Sequence, residues 1–183
     1  VMQYFVGRET IGLVTNRRIE GPRACADVFI TDSVMDARRV SLKETNFVFP
    51  LYAYAEDGSR HPNLNRDIVK QIASLVGSEP TPEDIFDYAY AVLHSPHYRE
   101  KYNDLLKTDF PRVPYPKDKA QFGVLAALGK QLRELHLLES AVVRTPITTY
   151  PEDGTNKVEK ITRKGDSVYI NAMQYFGNVP EGA

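Results

Sequence analysis

The sequence predicts an α+β fold in which mixed or antiparallel strands at both ends of the chain frame a central helical segment. Three observations carry this. Short runs rich in Val, Ile, Phe, Tyr and Thr fill the first part of the chain, the residue types that suit a pleated, half-buried surface. Apolar residues at helical spacing, bracketed by cap signals, occupy the middle. The strand-and-turn pattern then returns at the end.

At the N-terminal end the candidate strands are "QYFVG", "TIGLVTN", "ADVFITDSV" and "NFVFPLYAYA". The segments between them, "NRRIEGPRAC" and "MDARRVSLKETN", are charged and set Arg17, Arg18, Arg23, Arg38 and Arg39 between or beside strands, where side chains project to solvent or to a partner. "AEDGSRHPNLN", residues 55 to 65, contains Asp-Gly and His-Pro steps and predicts a turn-rich loop.

Helices follow. "NRDIVKQIASLVG" aligns Ile68, Ile72 and Leu75 on one face and stops at Gly77. "TPEDIFDYAYAVLHS" offers Thr81 as N-cap, Pro82 at the first helical position and Glu83 with Asp84 near the positive end of the dipole. Ile85, Tyr88, Ala89 and Val92 repeat along it, and Ser95-Pro96 opens a further short helix, "SPHYREKYNDLLK". Pro111, Pro114 and Pro116 in "FPRVPYP" force an extended segment. A long helix is predicted in "KDKAQFGVLAALGKQLRELHLLE", with an apolar stripe of Phe122, Leu125, Leu128, Leu132, Leu135 and Leu138. "VVRTPITTY", "NKVEKITRK" and "DSVYINAMQYF" are predicted to be strands joined by the turns "PEDGTN" and "KGD".

The totals exclude several classes of function. A chain of 183 residues with 42% hydrophobic and 26% charged residues folds without a disulfide or metal staple, and one domain spanning residues 1–183 is the expectation. A net charge of -1 gives no global positive field, so a nucleic-acid surface has to be a local patch. The single cysteine, Cys25, supplies neither a disulfide nor a thiolate metal site. It reads as a small buried residue, since no nucleophile-elbow glycines surround it. No apolar run is long enough to span a membrane and the first residues lack a signal-peptide pattern, which together predict a cytoplasmic protein.

Catalytic signatures are missing as well. Gly7 and Gly12 have Walker-loop separation, but Leu13 and Val14 stand where Lys and a hydroxyl residue are needed. No Asp-x-Lys or Glu-x-Lys occurs to seat a nuclease metal. His94, His97 and His136 are the only close histidines, Pro96 interrupts the first two, and no acidic pattern completes a metal site. The expectation is therefore no catalytic residue, no metal and no cofactor in this chain.

The stretch "LHSPHYREKYNDLLKTDFPRVPYP", residues 93 to 116, combines histidine, arginine, tyrosine and proline. Leu93, Tyr98, Tyr102, Leu105 and Leu106 have packing periodicity, so its expected role is scaffolding. Together with "FVFPLYAYA", "NLN", "TPEDIFDYAYAVLHSPHYREKYNDLLKTDFPRVPYP", "FGVLAALGKQLRELHLLE" and "VYINAMQYFGNVPE", the chain resembles the C-terminal specificity, or target recognition, domain of type ISP restriction-modification enzymes. In that family one polypeptide carries a nuclease, an ATP-driven translocase or helicase, an adenine-N6 methyltransferase and the domain that finds the DNA target.

The resemblance implies that this chain is only the last of these, a piece of a longer polypeptide truncated at its own end. S-adenosylmethionine, ATP and Mg would serve the full-length enzyme elsewhere. Its implied partners are double-stranded DNA and the methyltransferase and helicase domains of the same polypeptide, with no membrane. DNA-contact candidates are Arg17, Arg18, Arg23, Arg38 and Arg39 in the N-terminal turns, Arg60, His61 and Asn63 in the following loop, and Lys157, Lys160, Arg163 and Lys164 in the C-terminal hairpin. Arginine reads guanine and asparagine reads adenine bidentately. Two other readings stand beside this one: a protein–protein docking module with little DNA affinity, and a stand-alone enzyme, which the missing signatures disfavour.

Overall fold

Alternating apolar residues pair the N-terminal segments into a three-stranded antiparallel sheet in the computed structural model, which describes residues 2–19, 27–36 and 44–182. The sheet contains β1 (Gly12–Asn16), β2 (Val28–Thr31) and β3 (Asn46–Pro50) in the order β2-β1-β3. Leu13 lies opposite Ile30 and Phe49, and Thr15 opposite Val28 and Phe47, so these six side chains share one face. Val14, fully buried, faces the other way.

The "NFVFPLYAYA" run does not continue as one strand. Pro50 cannot donate to a ladder, and at buried Leu51 the chain turns to a separate hairpin of β4 (Tyr52–Tyr54) and β5 (Arg60–Pro62). "QYFVG" is not a strand either: Met2–Tyr4 is a 3-10 turn, Val6 is exposed, and only Phe5 is buried, its ring lying over Gly12.

The helical frame follows its caps. α1 (Arg66–Val76) starts at Asn65, whose Oδ1 accepts from the amides of Asp67 and Ile68, and ends at Gly77 in the left-handed region with φ 76°. Its buried residues are Ile72 and Val76, whereas Ile68 and Leu75 are largely exposed, so the buried face is rotated from the predicted one. α2 (Pro82–His94) begins with a capping box between Thr81 and Asp84. Ser95 then caps α3 (Pro96–Lys101), followed by the single turn α4 (Asn103–Leu106).

α5 (Lys119–His136) departs most from expectation. Its buried residues are Phe122, Ala126 and Gly129, while Leu128 and Leu138 of the predicted stripe are exposed. The cause is a close crossing with α2: a Cβ on Gly129 would lie 1.9 Å from the Asp87 carbonyl oxygen. Small residues let the backbones meet, and the larger leucines flank the seam instead. One turn further along, Arg133 makes a bidentate pair with the buried Asp87 carboxylate, Nε to Oδ1 at 2.7 Å and Nη2 to Oδ2 at 3.1 Å. Breaking such a buried pair from one side costs about 3–5 kcal/mol.

These elements belong to one compact unit, Val1–Ser140, and the remaining residues form a second, Ala141–Ala183. In the second unit, β6 (Thr162–Lys164), β7 (Ser167–Tyr169) and β8 (Tyr175–Phe176) make a small antiparallel sheet in the order β6-β7-β8. "VVRTPITTY" is not a strand: Ala141–Arg144 is a 3-10 turn, and beyond it only Thr149 bridges, to Gly177. "NKVEKITRK" contributes only its last three residues to β6. The centre of this unit is an amide, not an apolar cluster. Buried Gln174 accepts from the Asn156 amide and the Asn171 side chain, and donates to the Glu152 carbonyl and the Asn156 side chain.

Candidate nucleic-acid interface

The hairpin β4–β5 is built to present Arg60 and His61. At its turn Gly58 takes φ 83°, and Asp57 Oδ1 accepts from the Ser59 amide at 2.8 Å and its hydroxyl at 2.6 Å. These bonds hold the Asp57 carboxyl below its ordinary range. Ser59 Oγ in turn lies 2.7 Å from His61 Nε2.

Arg60 stacks on Tyr52 with its guanidinium 4.1 Å from the ring centroid. Tyr52 is fixed from behind, its hydroxyl donating to Glu83 Oε1 at 2.5 Å. Burial and that carboxylate push the phenol up to about 12, so it stays a neutral platform. Asn63, in contrast, is engaged with the fold: its side-chain amide donates to the Pro50 carbonyl and its backbone amide to Leu51.

Sequence reasoning missed Arg8, which stacks on Tyr54 at 4.7 Å. Arg8, Arg60 and Arg133 line one cavity of about 420 Å³ together with Asp32, Glu83 and Glu139. Only the folded chain brings these groups together.

Arg17 and Arg18 emerge, exposed, from the other end of β1. Leu51 and Tyr52 hydrogen-bond at Ile11 and Thr10, so the Arg60 hairpin and Arg17 lie towards opposite ends of β1. Arg17 Nε pairs with Asp109 Oδ1 at 3.2 Å. The Phe110 backbone amide, then Arg17, holds the Asp109 carboxyl low.

Immediately before Arg17, Asn16 is fully buried. It donates to Glu44 Oε2 at 2.9 Å and to Asp27 Oδ2 at 3.2 Å, and accepts from Asn46 at 2.6 Å. This polar cluster joins the chain on both sides of the sheet end, and hydrophobic periodicity could not reveal it. Arg23, Arg38 and Arg39 lie outside the described residues.

In the second unit Lys157, Lys160, Arg163 and Lys164 are exposed but differ in engagement. Arg163 donates to the backbone carbonyls of Gly165, Val179 and Pro180. Lys164 lies over the Tyr169 ring at 4.7 Å, and with Lys160 and Asn171 it lines a cavity of about 270 Å³.

The stretch 93 to 116 is frame. Leu93, Tyr98 and Leu106 are buried; Leu105 is exposed, against the predicted packing role. The Tyr88 and Tyr98 hydroxyls donate to the carbonyls of Pro114 and Arg112, strapping the proline segment to α2 and α3. Arg99 Nε donates to the Leu93 carbonyl at 2.7 Å and so closes the C-terminal end of α2.

His94, His136 and Tyr90 form a ring cluster, with Tyr90 Oη 2.6 Å from His136 Nδ1. Burial, Arg99 and His136 together push His94 down to about 4, which keeps it uncharged at neutral pH. Among the described residues no group of three His, Cys, Asp or Glu is placed to hold a metal ion, and no helix is long and apolar enough to cross a membrane.

A central helical frame with small antiparallel sheets at both ends of the chain defines an α+β domain. The particular family is also shown: the chain belongs to the type ISP C-terminal specificity domains, whose family model matches residues 1–183. No curated protein matches it.

Among solved structures it is similar to DrdV in a cryo-EM DrdV–DNA complex, at 29% identity and TM-score 0.69. It is also similar to a nuclease-deletion mutant of the type ISP restriction-modification enzyme LlaGI in complex with a DNA substrate mimic, at 24% identity and TM-score 0.66. A third match is the ATP-dependent type ISP restriction-modification enzyme LlaBIII bound to DNA, at 20% identity and TM-score 0.71. The match covers 94% of this chain in each case, but only 18% of the DrdV chain and 12% of the other two. The two lower identities establish a shared fold.

Proposed function

We propose that this chain is the DNA target-recognition module of a single-polypeptide, ATP-dependent restriction-modification enzyme whose methyltransferase, helicase and nuclease lie in other domains. S-adenosylmethionine, ATP and Mg would bind those domains. The observation that carries the reading is the membership of the whole chain in the specificity-domain family, and the DNA complexes of its structural relatives support it.

The contact residues in this reading are Arg18, Arg60 and His61 of the first unit and Lys157, Lys160 and Lys164 of the second, whereas Arg17 is already paired with Asp109. Arg23, Arg38 and Arg39 remain contact candidates from sequence. Arg163 and Asn63 serve by holding the backbone, since their donors already have carbonyl partners. Arg60, held on Tyr52, loses little freedom on contact and suits a base edge.

The test is a fluorescence-anisotropy titration of the chain with duplex DNA at low salt, repeated across a salt series. Each neutralised phosphate contact, such as Lys160→Gln or Lys164→Gln, should lower the salt slope by about one. A folded chain that binds no duplex at low salt overturns the reading.

A further inference from the structure

Phe47 and Phe49 stand on the same face of β3, next to each other along an outer strand of the sheet, and both are about two-fifths exposed at 40% and 43%. The Phe110 ring meets them edge-on at 5.1 and 5.4 Å. Leu105, 65% exposed, extends this surface through a cavity of about 360 Å³ that it lines with Tyr102, Phe110 and Pro111. Around the aromatic centre runs a paired rim in which Asp109 bridges Arg17 at 3.2 Å and Arg112 at 3.8 Å. Among the described residues no strand pairs with the outer edge of β3.

We infer that this face is the seat of an apolar segment belonging to another domain of the same polypeptide. An aromatic centre with an arginine-rich, ion-paired rim has the anatomy of a protein interface. A DNA backbone would meet the Asp109 carboxylate there.

Size identifies the occupant. Phe47, Phe49 and Leu105 together offer roughly 300 Å² at the areas such side chains bury. A free partner or a second copy needs about 800 Å² per side. A domain held in the same chain needs far less, because the tether supplies an effective concentration near the millimolar range. This chain covers only 18% and 12% of its relatives' chains, which leaves most of such a polypeptide to provide the segment. The inference rests on the chain being one domain of such an enzyme, and not on its affinity for DNA.

The experiment is thiol labelling of Phe49→Cys in a Cys25→Ser background, in the full-length polypeptide and in the chain 1–183, with Lys130→Cys as an exposed control. Lys130 is 61% exposed at its side chain. Labelling at position 49 should be at least tenfold slower in the full-length protein, with the control unchanged. Equal rates overturn the inference. Protection that appears only on adding duplex DNA, in either protein, also overturns it and assigns the face to DNA, while the anisotropy titration independently reports whether the chain binds DNA at all. If Phe49→Cys proves unstable, Leu105→Cys gives the same readout from a residue that the fold leaves exposed.

Discussion

The two units solve the same problem with opposite materials. Val1–Ser140 closes around an apolar cluster in which Ile85, Tyr88, Val92, Phe122 and Ala126 meet between α2 and α5. Ala141–Ala183 has Ile170 as its only buried apolar side chain among the described residues, and its centre is the amide of Gln174. A unit of about 40 residues cannot bury enough surface for a conventional core, so hydrogen bonds to carbonyls and neighbouring amides specify its shape instead. Such bonds contribute little net stability each, about 1 kcal/mol, but leave a costly vacancy when one partner is lost. The first unit should therefore be robust and cooperative, and the second specific but shallow.

The sharpest way to break this contrast is at the helix pair. Asp87→Ala strands the Arg133 guanidinium and should cost the first unit about 3–5 kcal/mol, read as a fall in denaturant midpoint. A loss below about 1 kcal/mol would mean that the helix seam is held by apolar packing alone. In the second unit Gln174→Leu removes four hydrogen bonds at once and should cost about 1–3 kcal/mol. Amide hydrogen exchange should locate that loss in residues 150–177 and leave α2 and α5 protected. Equal loss in both units would show that they unfold as one.

A finer probe is Tyr98→Phe, which keeps the buried ring and deletes only the bond to the Arg112 carbonyl. It should cost about 1 kcal/mol.

The smallest effect is one of pH. His94 has its folded-state pKa depressed to about 4 from 6.5, so the unfolded chain takes up its proton first as pH falls. Its contribution to stability is fully present above about 6.5 and fades between 6.5 and about 4. The fall in Tm over that window should be shallower in His94→Gln, and an unchanged slope would place the acid sensitivity elsewhere.

Local chemistry in the sequence predicted local structure well. Thr81, Pro82 and Asp84 announced α2, and Gly77 announced the end of α1, because caps act within a single turn. The stripe of α5 was legible in part: Phe122 is buried and Leu125 and Leu132 pack against the core, whereas Leu128 and Leu138 are exposed. The helix in fact buries Phe122, Ala126 and Gly129, and only the Asp87 backbone on another helix explains that choice. "VVRTPITTY" has strand composition but no strand partner except at Thr149, and pairing is a tertiary fact. At the candidate interface, the exposure of Arg60 and His61 followed from a legible turn. The stacking of Arg60 on Tyr52, the cavity that includes Arg8 and the Asn16–Glu44 cluster join residues far apart in the chain, and no spacing rule links them.

Asp87 grips α5 twice, through its carbonyl against the face of Gly129 and through its carboxylate on Arg133. Sliding one helix past the other by a turn would carry both anchors out of register together. Shear between packed helices, a common way for proteins to transmit a signal, is thus closed to this pair. Any response to a bound partner must be taken up by the hairpins and turns that the pair supports, while the pair itself serves as a fixed ruler.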